Sequence, residues 1–256
     1  MVNLNALIAI ASHERPHILQ SKTLKLLKKH KVPMQQVHVF VSPQSYDTYV
    51  PIKNKWKFNL IGGENTSILK TRNNIIKYFD EGENIIEMDD DVDDLQLTVK
   101  GEKNKSVRNL KALFNKSFQM ISSGGLFGFN STTNSFFASG RDKVGLYSII
   151  NSCLGYKNDK RIKLTVPEKE DFERCILFYK LGLPILKRTK YGIKTNYWKN
   201  DGGIQDHYNF EKRIKVQKKS AQMLLRKYPW ACRSQVRQNG IMDIRFFKDP
   251  LKKYSI

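Results

Sequence analysis

Asn84-Ile85-Ile86-Glu87-Met88-Asp89-Asp90-Asp91-Val92-Asp93-Asp94-Leu95 packs acid into a chain that is otherwise short of it. Glu87, Asp89, Asp90, Asp91, Asp93 and Asp94 place six carboxylates in eight positions, a quarter of the 24 acids in 256 residues whose net charge is +21. The apolar Ile85-Ile86 pair with Met88 reads as the end of a short buried strand. Aspartate suits strand interiors poorly, so the strand should stop at Asp89. The acids then stand at a strand's carboxyl end, the edge at which open α/β sheets bind ligands. Two readings follow. Hard carboxylate oxygens suit Mg2+ or Mn2+ that also hold a substrate's phosphates, whereas a charge run is also the composition of a solvated acidic turn. Three consecutive aspartates repel one another unless a cation or a basic neighbour offsets them, which favours the metal reading.

Upstream, Leu7-Ile8-Ala9-Ile10-Ala11 reads as a first buried strand, broken by Ser12-His13-Glu14-Arg15-Pro16. Leu19, Thr23, Leu26, Leu27 and His30 keep helical spacing until Val32-Pro33. Val37 to Val41 is a second strand and Trp56 to Ile61 a third, ended by Gly62-Gly63. Asn65 or Thr66 can cap a helix carrying Ile68, Arg72, Ile75, Ile76 and Phe79, which Asp80-Glu81-Gly82 closes. This rhythm predicts a largely parallel α/β sheet with loops leaving its carboxyl edge at Ser12, Ser42, Gly62 and Asp89. Ser12, Arg15, Arg72 and the aspartates then converge on one crevice. A cation on the aspartates, with guanidiniums from Arg15 or Arg72, makes a diphosphate site. Arg15 is equally well read as a surface cation before a proline, and His13 as an ordinary loop residue.

Downstream, residues 99–106 are polar and read as a surface loop. Leu110 to Ile121 predicts a helix, Leu126 to Phe129 a strand after Gly124-Gly125, residues 130–135 a polar turn, and Tyr147 to Leu154 a further strand. Pro167-Glu168-Lys169-Glu170-Asp171 opens a helix with proline in its first turn and acids against the positive end of its dipole. That placement explains the acids structurally; one of them can equally serve as a general base toward an acceptor hydroxyl. Ile193 to Trp198 is an aromatic stretch running into Asp201-Gly202-Gly203-Ile204-Gln205, where paired glycines mark a turn or a close backbone approach to a ligand. Lys212, Lys215, Lys219 and Arg226 form one stripe on a helix, opposite Phe210, Ile214, Ala221 and Leu225.

A pI near 9.8 attracts polyanions, nucleic acid foremost, although a basic proteome has the same composition. From Phe210 onward thirteen Lys and Arg face three acids, so nearly half the net charge lies in the last fifth of the chain, which favours a phosphate-backbone footprint. Tyr228, Trp230 and Phe246 lie among these cations and can stack on bases or pack in a core. Hydrophobic content of 40% predicts one compact unit, about 1–97 forming one half and 98–256 the other. Cys153, Cys175 and Cys232 have no paired spacing and read as reduced thiols. The amino terminus shows no basic leader and too short an apolar run to span a membrane, so an intracellular protein without membrane attachment is expected.

Ile10-Ala11-Ser12-His13-Glu14-Arg15-Pro16, Thr71-Arg72-Asn73 ahead of Tyr78-Phe79, and Glu87-Met88-Asp89-Asp90-Asp91 resemble a GT-A fold glycosyltransferase with its D-x-D motif. With Glu170-Asp171 and Asp201-Gly202-Gly203-Ile204-Gln205, the ordered set across about residues 7–230 resembles the phage and kinetoplastid glycosyltransferases associated with TET/JBP-type base hydroxylases. The resemblance implies a GT-A, Rossmann-like mixed sheet flanked by helices, with a nucleotide-sugar half and an acceptor half. It implies transfer of a sugar, glucose being expected, from a UDP-sugar to the hydroxymethyl group of 5-hydroxymethylcytosine or 5-hydroxymethyluracil in double-stranded DNA, in a host cytoplasm if the protein is viral. Asp89 to Asp91 would hold Mn2+ or Mg2+ and the donor ribose, with Asp91 the direct ligand and His207 completing the shell. Ser12, Arg15, Arg72 and Asn73 would line the nucleotide site, and Gly202, Gly203 and Gln205 the sugar. Asp171, with Glu170, would face the acceptor as base, and the stripe at Lys212, Lys215, Lys219 and Arg226 would hold DNA. Ser12-His13 stands where the group has serine followed by an aromatic. Two other classes share these features: a glycosyltransferase acting on protein or polysaccharide, and a non-catalytic nucleic-acid-binding protein.

Overall fold

Strand β1 (Leu7–Ala11) sends alternate side chains to opposite sides: Ile8 and Ile10 enter one apolar cluster and Ala9 the other. Both faces of the sheet are therefore covered, as a strand with no polar face requires. The structure is a computed structural model and describes residues 2–195, 210–236, 242–248 and 250.

After β1 the chain forms α1 (Pro16–Ser21), α2 (Thr23–Lys29), β2 (Val37–Phe40), α3 (Tyr46–Trp56), β3 (Asn59–Ile61) and α4 (Ile68–Tyr78). The single helix expected after Pro16 is broken at Lys22, whose backbone (φ −115°, ψ −89°) leaves the helical region. Helix α3 has no counterpart in the sequence reading, because Pro51 sits in its interior, where proline ordinarily ends a helix. The third strand is correspondingly shorter than expected. Ser67, one or two residues later than anticipated, caps α4 by accepting from the Lys70 N–H.

The acidic stretch then splits. β4 (Asn84–Asp89) ends where expected, but Val92 to Leu97 forms another strand, β5, so Asp90 and Asp91 are a tight turn and Asp93 and Asp94 are strand residues. β6 (Lys105–Ser106), α5 (Leu110–Met120), β7 (Leu126–Asn130), β8 (Lys143–Val144) and β9 (Cys153–Lys157) follow. The strand expected at Tyr147 to Leu154 thus begins at Cys153. There Gly155 lets β9 lie between its neighbours, since a Cβ would come within 2.3 Å of the Phe127 ring. α6 (Glu170–Lys180) starts after Pro167, not around it, and β10 (Ile185–Thr195) is the longest strand described. α7 (Phe210–Lys227) leads to the antiparallel ribbon β11 (Cys232–Val236) and β12 (Met242–Phe246).

Ten strands make the main sheet, in the order β3-β2-β1-β4-β9-β7-β10-β5-β6 with β8 beside β10. Only β5, β8 and β9 run against the rest, so the sheet is mixed and largely parallel in direction. Helices α1, α2, α3 and α5 cover the face of Ile8 and Ile10; α4, α6 and α7 with the ribbon cover the face of Ala9. β4 pairs with β9 and β5 with β10, so the two halves of the chain share one sheet. Its carboxyl edge carries the ends of β1 and β4, where Ser12 and Asp89 lie.

Candidate active site

Period two along β4 places Ile86 and Met88 in the apolar cluster beside α5, and Glu87 and Asp89 on the other face under α4 and α6. Those helices answer with arginine. Arg72 of α4, only 1% exposed, donates from Nη1 to Glu87 Oε2 at 3.1 Å and from Nη2 to Asp89 Oδ1 at 2.6 Å. Arg174 of α6 donates to Glu87 Oε1 at 2.5 Å, and the Tyr156 hydroxyl donates to the same oxygen at 2.5 Å. Burial raises the Glu87 pKa, but the two guanidiniums outweigh it and hold the carboxyl below its ordinary value.

Asp90 turns to the opposite side. Its fully buried carboxylate accepts from Ser12 Oγ at 2.6 Å and from two nitrogens of Arg15. Tyr49 completes a relay: its hydroxyl accepts from the Arg15 N–H at 3.0 Å and lies 2.6 Å from Ser12 Oγ. Burial pushes the Asp90 carboxyl up to about 7 against the pull of Arg15, and the Tyr49 phenol up to about 12. The turn is bracketed by Thr23, whose hydroxyl accepts from the Val92 N–H at 3.0 Å and donates to the Asp89 carbonyl at 2.8 Å. Asp93 pairs with Lys22 at 3.6 Å, and Asp94 accepts from Ser106 and Gln96. Basic and hydroxyl neighbours thus offset much of the cluster's repulsion.

A cavity of about 660 Å3 opens at this edge. Ser12, His13, Arg15, Arg72 and Asp89 line one side; Asn151, Glu168, Glu170 and Asp171 line another, and Lys212 and Val216 of α7 close it. Glu170 accepts from the Asn151 amide at 2.9 Å, and burial raises its pKa. Asp171 accepts from the Phe172 N–H at 2.8 Å, and burial first, Glu170 second, push it up to about 7. Two loops lining the cavity each carry a non-glycine residue in the left-handed region, Glu14 (φ 53°) and Glu168 (φ 52°), a conformation that concentrates at functional sites.

The structure therefore brings together Ser12, Arg15, Arg72, Asp89, Glu170, Asp171 and Lys212. Several residues carry partners that the sequence did not announce. Arg72 lines the cavity with its terminal guanidinium nitrogens resting on Glu87 and Asp89. The Asp90 carboxylate is engaged by Ser12 and Arg15. Asn73 is not among the residues that line the cavity; its amide clamps Leu164, donating to the carbonyl at 2.9 Å and accepting from the N–H at 3.0 Å. Lys212, expected on DNA, borders the cavity, while Lys215, Lys219 and Arg226 are exposed along α7. His13 also lines the cavity. Asp91 is half-buried at the turn, and Gly202, Gly203, Gln205 and His207 lie outside the described residues. Sequence reasoning missed Thr23, Tyr49, Glu87's buried role and Arg174; for Glu87 the alternation Ile86, Glu87, Met88 was the available signal.

No protein-family model and no curated protein matches the sequence. Solved structures do resemble the fold. S. aureus TarS 1–349 superposes with a TM-score of 0.52 at 12% identity, over 87% of this chain and 66% of that one. The mannosyltransferase PcManGT from Pyrobaculum calidifontis, in complex with GDP-Man and Mn2+, gives 0.55 at 10% identity, over 88% and 65%. GalNAc-T7 with UDP, GalNAc and Mn2+ gives 0.52 at 10% identity, over 76% and 44%. The chain spans about two thirds of the first two and less than half of the third. At such identities the likeness is one of architecture, and the architecture is GT-A: a Rossmann-like mixed sheet flanked by helices.

Proposed function

We propose that the protein is a metal-dependent glycosyltransferase that moves a sugar from a UDP-sugar to the hydroxymethyl group of a modified pyrimidine in double-stranded DNA. The observation that carries this reading is the single cavity on which Asp89, fixed by Arg72, and the pair Glu170-Asp171 both open. Its volume suits a nucleotide-sized ligand. The GT-A fold, shared with solved proteins that hold GDP-Man and Mn2+ in one case and UDP, GalNAc and Mn2+ in another, supports the reaction class.

Among the described residues no three His, Cys, Asp or Glu side chains form a metal cage. That fits a cation shared with substrate, since Mg2+ in phosphate sites takes one or two carboxylates and completes its shell from phosphate oxygens and water. Asp89, whose side chain is 31% exposed, and Asp91 in the adjoining turn would supply those carboxylates. Bound there, Mn2+ or Mg2+ offsets charge developing on the leaving diphosphate.

The chain's own groups do the rest. Arg72 fixes the orientation of Asp89, and Lys212 adds a cation at the mouth of the cavity. Asp171, with its affinity for protons raised into the neutral range, takes the proton of the acceptor hydroxyl if the sugar is inverted. A hydroxymethyl group projects into the major groove, so reaching the donor carbon requires the base to leave the stack, at a cost of roughly a few kcal/mol. Phosphate contacts along Lys215, Lys219 and Arg226 offset that cost.

The test is incubation with labelled UDP-sugars and DNA containing 5-hydroxymethylcytosine, 5-hydroxymethyluracil or neither, followed by nucleoside analysis. Label on hydroxymethylated DNA alone is expected. Label only on protein or glycan would move the acceptor to those classes, and no turnover of any nucleotide sugar would remove the enzymatic reading.

A further inference from the structure

We infer that the β11–β12 ribbon is a phosphate clamp in which Arg233 and Arg245 hold one backbone phosphate of a polyanionic acceptor. The inference deepens the proposed function and rests on it for the acceptor's identity. In the ribbon's register Arg233 stands directly opposite Arg245, and both side chains are exposed. Like charges directly opposite on an antiparallel pair destabilise it. Among the described residues neither arginine has an acidic partner. The ribbon's own acid, Asp243, is buried in an ion pair with Lys169 at 2.7 Å. A tetrahedral dianionic or diester phosphate between two guanidinium forks removes the repulsion, and Arg matches its geometry better than Lys.

The surroundings point to a long polyanion over a small anion. Among described side chains from 212 to 248, nine cations (Lys212, Lys215, Lys218, Lys219, Arg226, Lys227, Arg233, Arg245, Lys248) outnumber one acid, the buried Asp243; Lys227 is offset by Glu173 of α6 at 2.9 Å, and the excess of positive charge remains large. Such a field holds a phosphate backbone through repeated contacts, which set position and register.

The ribbon is also tied to the cavity. Lys169, held by Asp243, precedes Glu170 and Asp171 at the start of α6, and Phe246 meets Phe172 of that helix at 5.6 Å between ring centroids. Residues two apart share a face of a strand. Arg245 therefore sits about 7 Å along β12 from Asp243, the residue that holds Lys169, and on the same face, while Phe246 meets α6 from the other face. A phosphate gripped there fixes the acceptor backbone relative to Asp171.

The experiment compares wild type, R233S/R245S, and a charge-matched control on α3 over the other face of the sheet, K53S/K55S. Each is titrated against a short duplex DNA and against inorganic polyphosphate across a salt series. The clamp predicts that the slope of log affinity against log salt falls by about 0.9 on DNA in R233S/R245S, the loss of one phosphate contact, and stays at the wild-type value in K53S/K55S. The melting temperature of R233S/R245S should not fall, because a repulsive pair has been removed; a purely structural role for the arginines would lower it. An unchanged slope in R233S/R245S, equal losses in both double mutants, or no polyanion binding by wild type at low salt overturns the clamp. If R233S/R245S loses the slope yet hydroxymethylated DNA never gains sugar, the proposed acceptor falls and the clamp stands. If sugar is transferred while the slope is unchanged, the clamp falls and the acceptor stands.

Discussion

Arg72 Nη2 and Asp89 Oδ1 meet at 2.6 Å, and the other terminal nitrogen of the same guanidinium rests on Glu87 at 3.1 Å. One buried cation therefore spans two carboxylates that β4 places two residues apart, and Asp89 is held from beneath by a group that solvent barely reaches.

Arg72→Met should be strongly destabilising, by about 3–5 kcal/mol, because it leaves Glu87 and Asp89 without their shared cation. Urea unfolding followed by circular dichroism measures this. A loss under about 1 kcal/mol would mean that Arg174 alone satisfies Glu87, and that the pair with Asp89 contributes as little as a surface bridge.

Thr23→Val keeps the shape of the side chain and removes the hydroxyl that bridges Asp89 and Val92. Two backbone groups of the turn lose their partner, for an expected cost of about 1–3 kcal/mol. Nucleotide-sugar affinity should weaken with it, because the turn that presents Asp89 and Asp91 is no longer pinned. Calorimetric titration with UDP in the presence of Mn2+ reads this, and unchanged affinity would separate the turn from donor binding.

Donor hydrolysis should need a divalent cation and should stop in excess chelator. Asp91→Asn, a substitution of nearly equal shape at a half-buried turn position, should abolish it while circular dichroism still shows a folded chain. Full turnover in chelator is the outcome that removes the metal.

Asp171 gives the reaction a pH signature. With its carboxyl raised to about 7, an inverting transfer should speed up as pH climbs through neutrality, and Asp171→Asn should erase that limb along with most of the rate. Stability should move the other way. The folded state holds the Asp171 proton up to about 7 and the unfolded chain releases it near the ordinary value of 3.8, so acidification through that window favours the fold. The melting temperature of the wild type should drop more than that of Asp171→Asn between pH 5 and pH 8.

The crevice was legible because it depends on local signals. Short apolar runs marked β1 and β4, helical spacing marked α4, and the carboxyl-edge rule then brought Ser12, Arg15 and Asp89 together without knowledge of any contact. What could not be read is partnership across the chain. Nothing near Glu87 announces Arg174, and nothing near Asp90 announces Tyr49, on a helix that Pro51 conceals. The partners of Arg15 and Arg72 were hidden for the same reason: each guanidinium meets an aspartate of the cluster. Lys212 was read from its stripe alone, and only the packing of α7 shows that it borders the cavity.

The pairing of β5 has a kinetic consequence. β4 docks on β1, whose partner residues are made early, but Leu97 of β5 must wait for Tyr191 of β10 before its ladder can close. Non-local pairing of this kind is slow, because loop closure precedes any reward. In a chain emerging from its amino terminus the Asp90-Asp91 turn thus has one wall in place and the other missing until β10 has been synthesised. Competence to hold a nucleotide sugar should appear late and all at once during synthesis, and a nascent fragment ending before residue 185 should carry a folded β1–β4 core yet show no affinity for UDP.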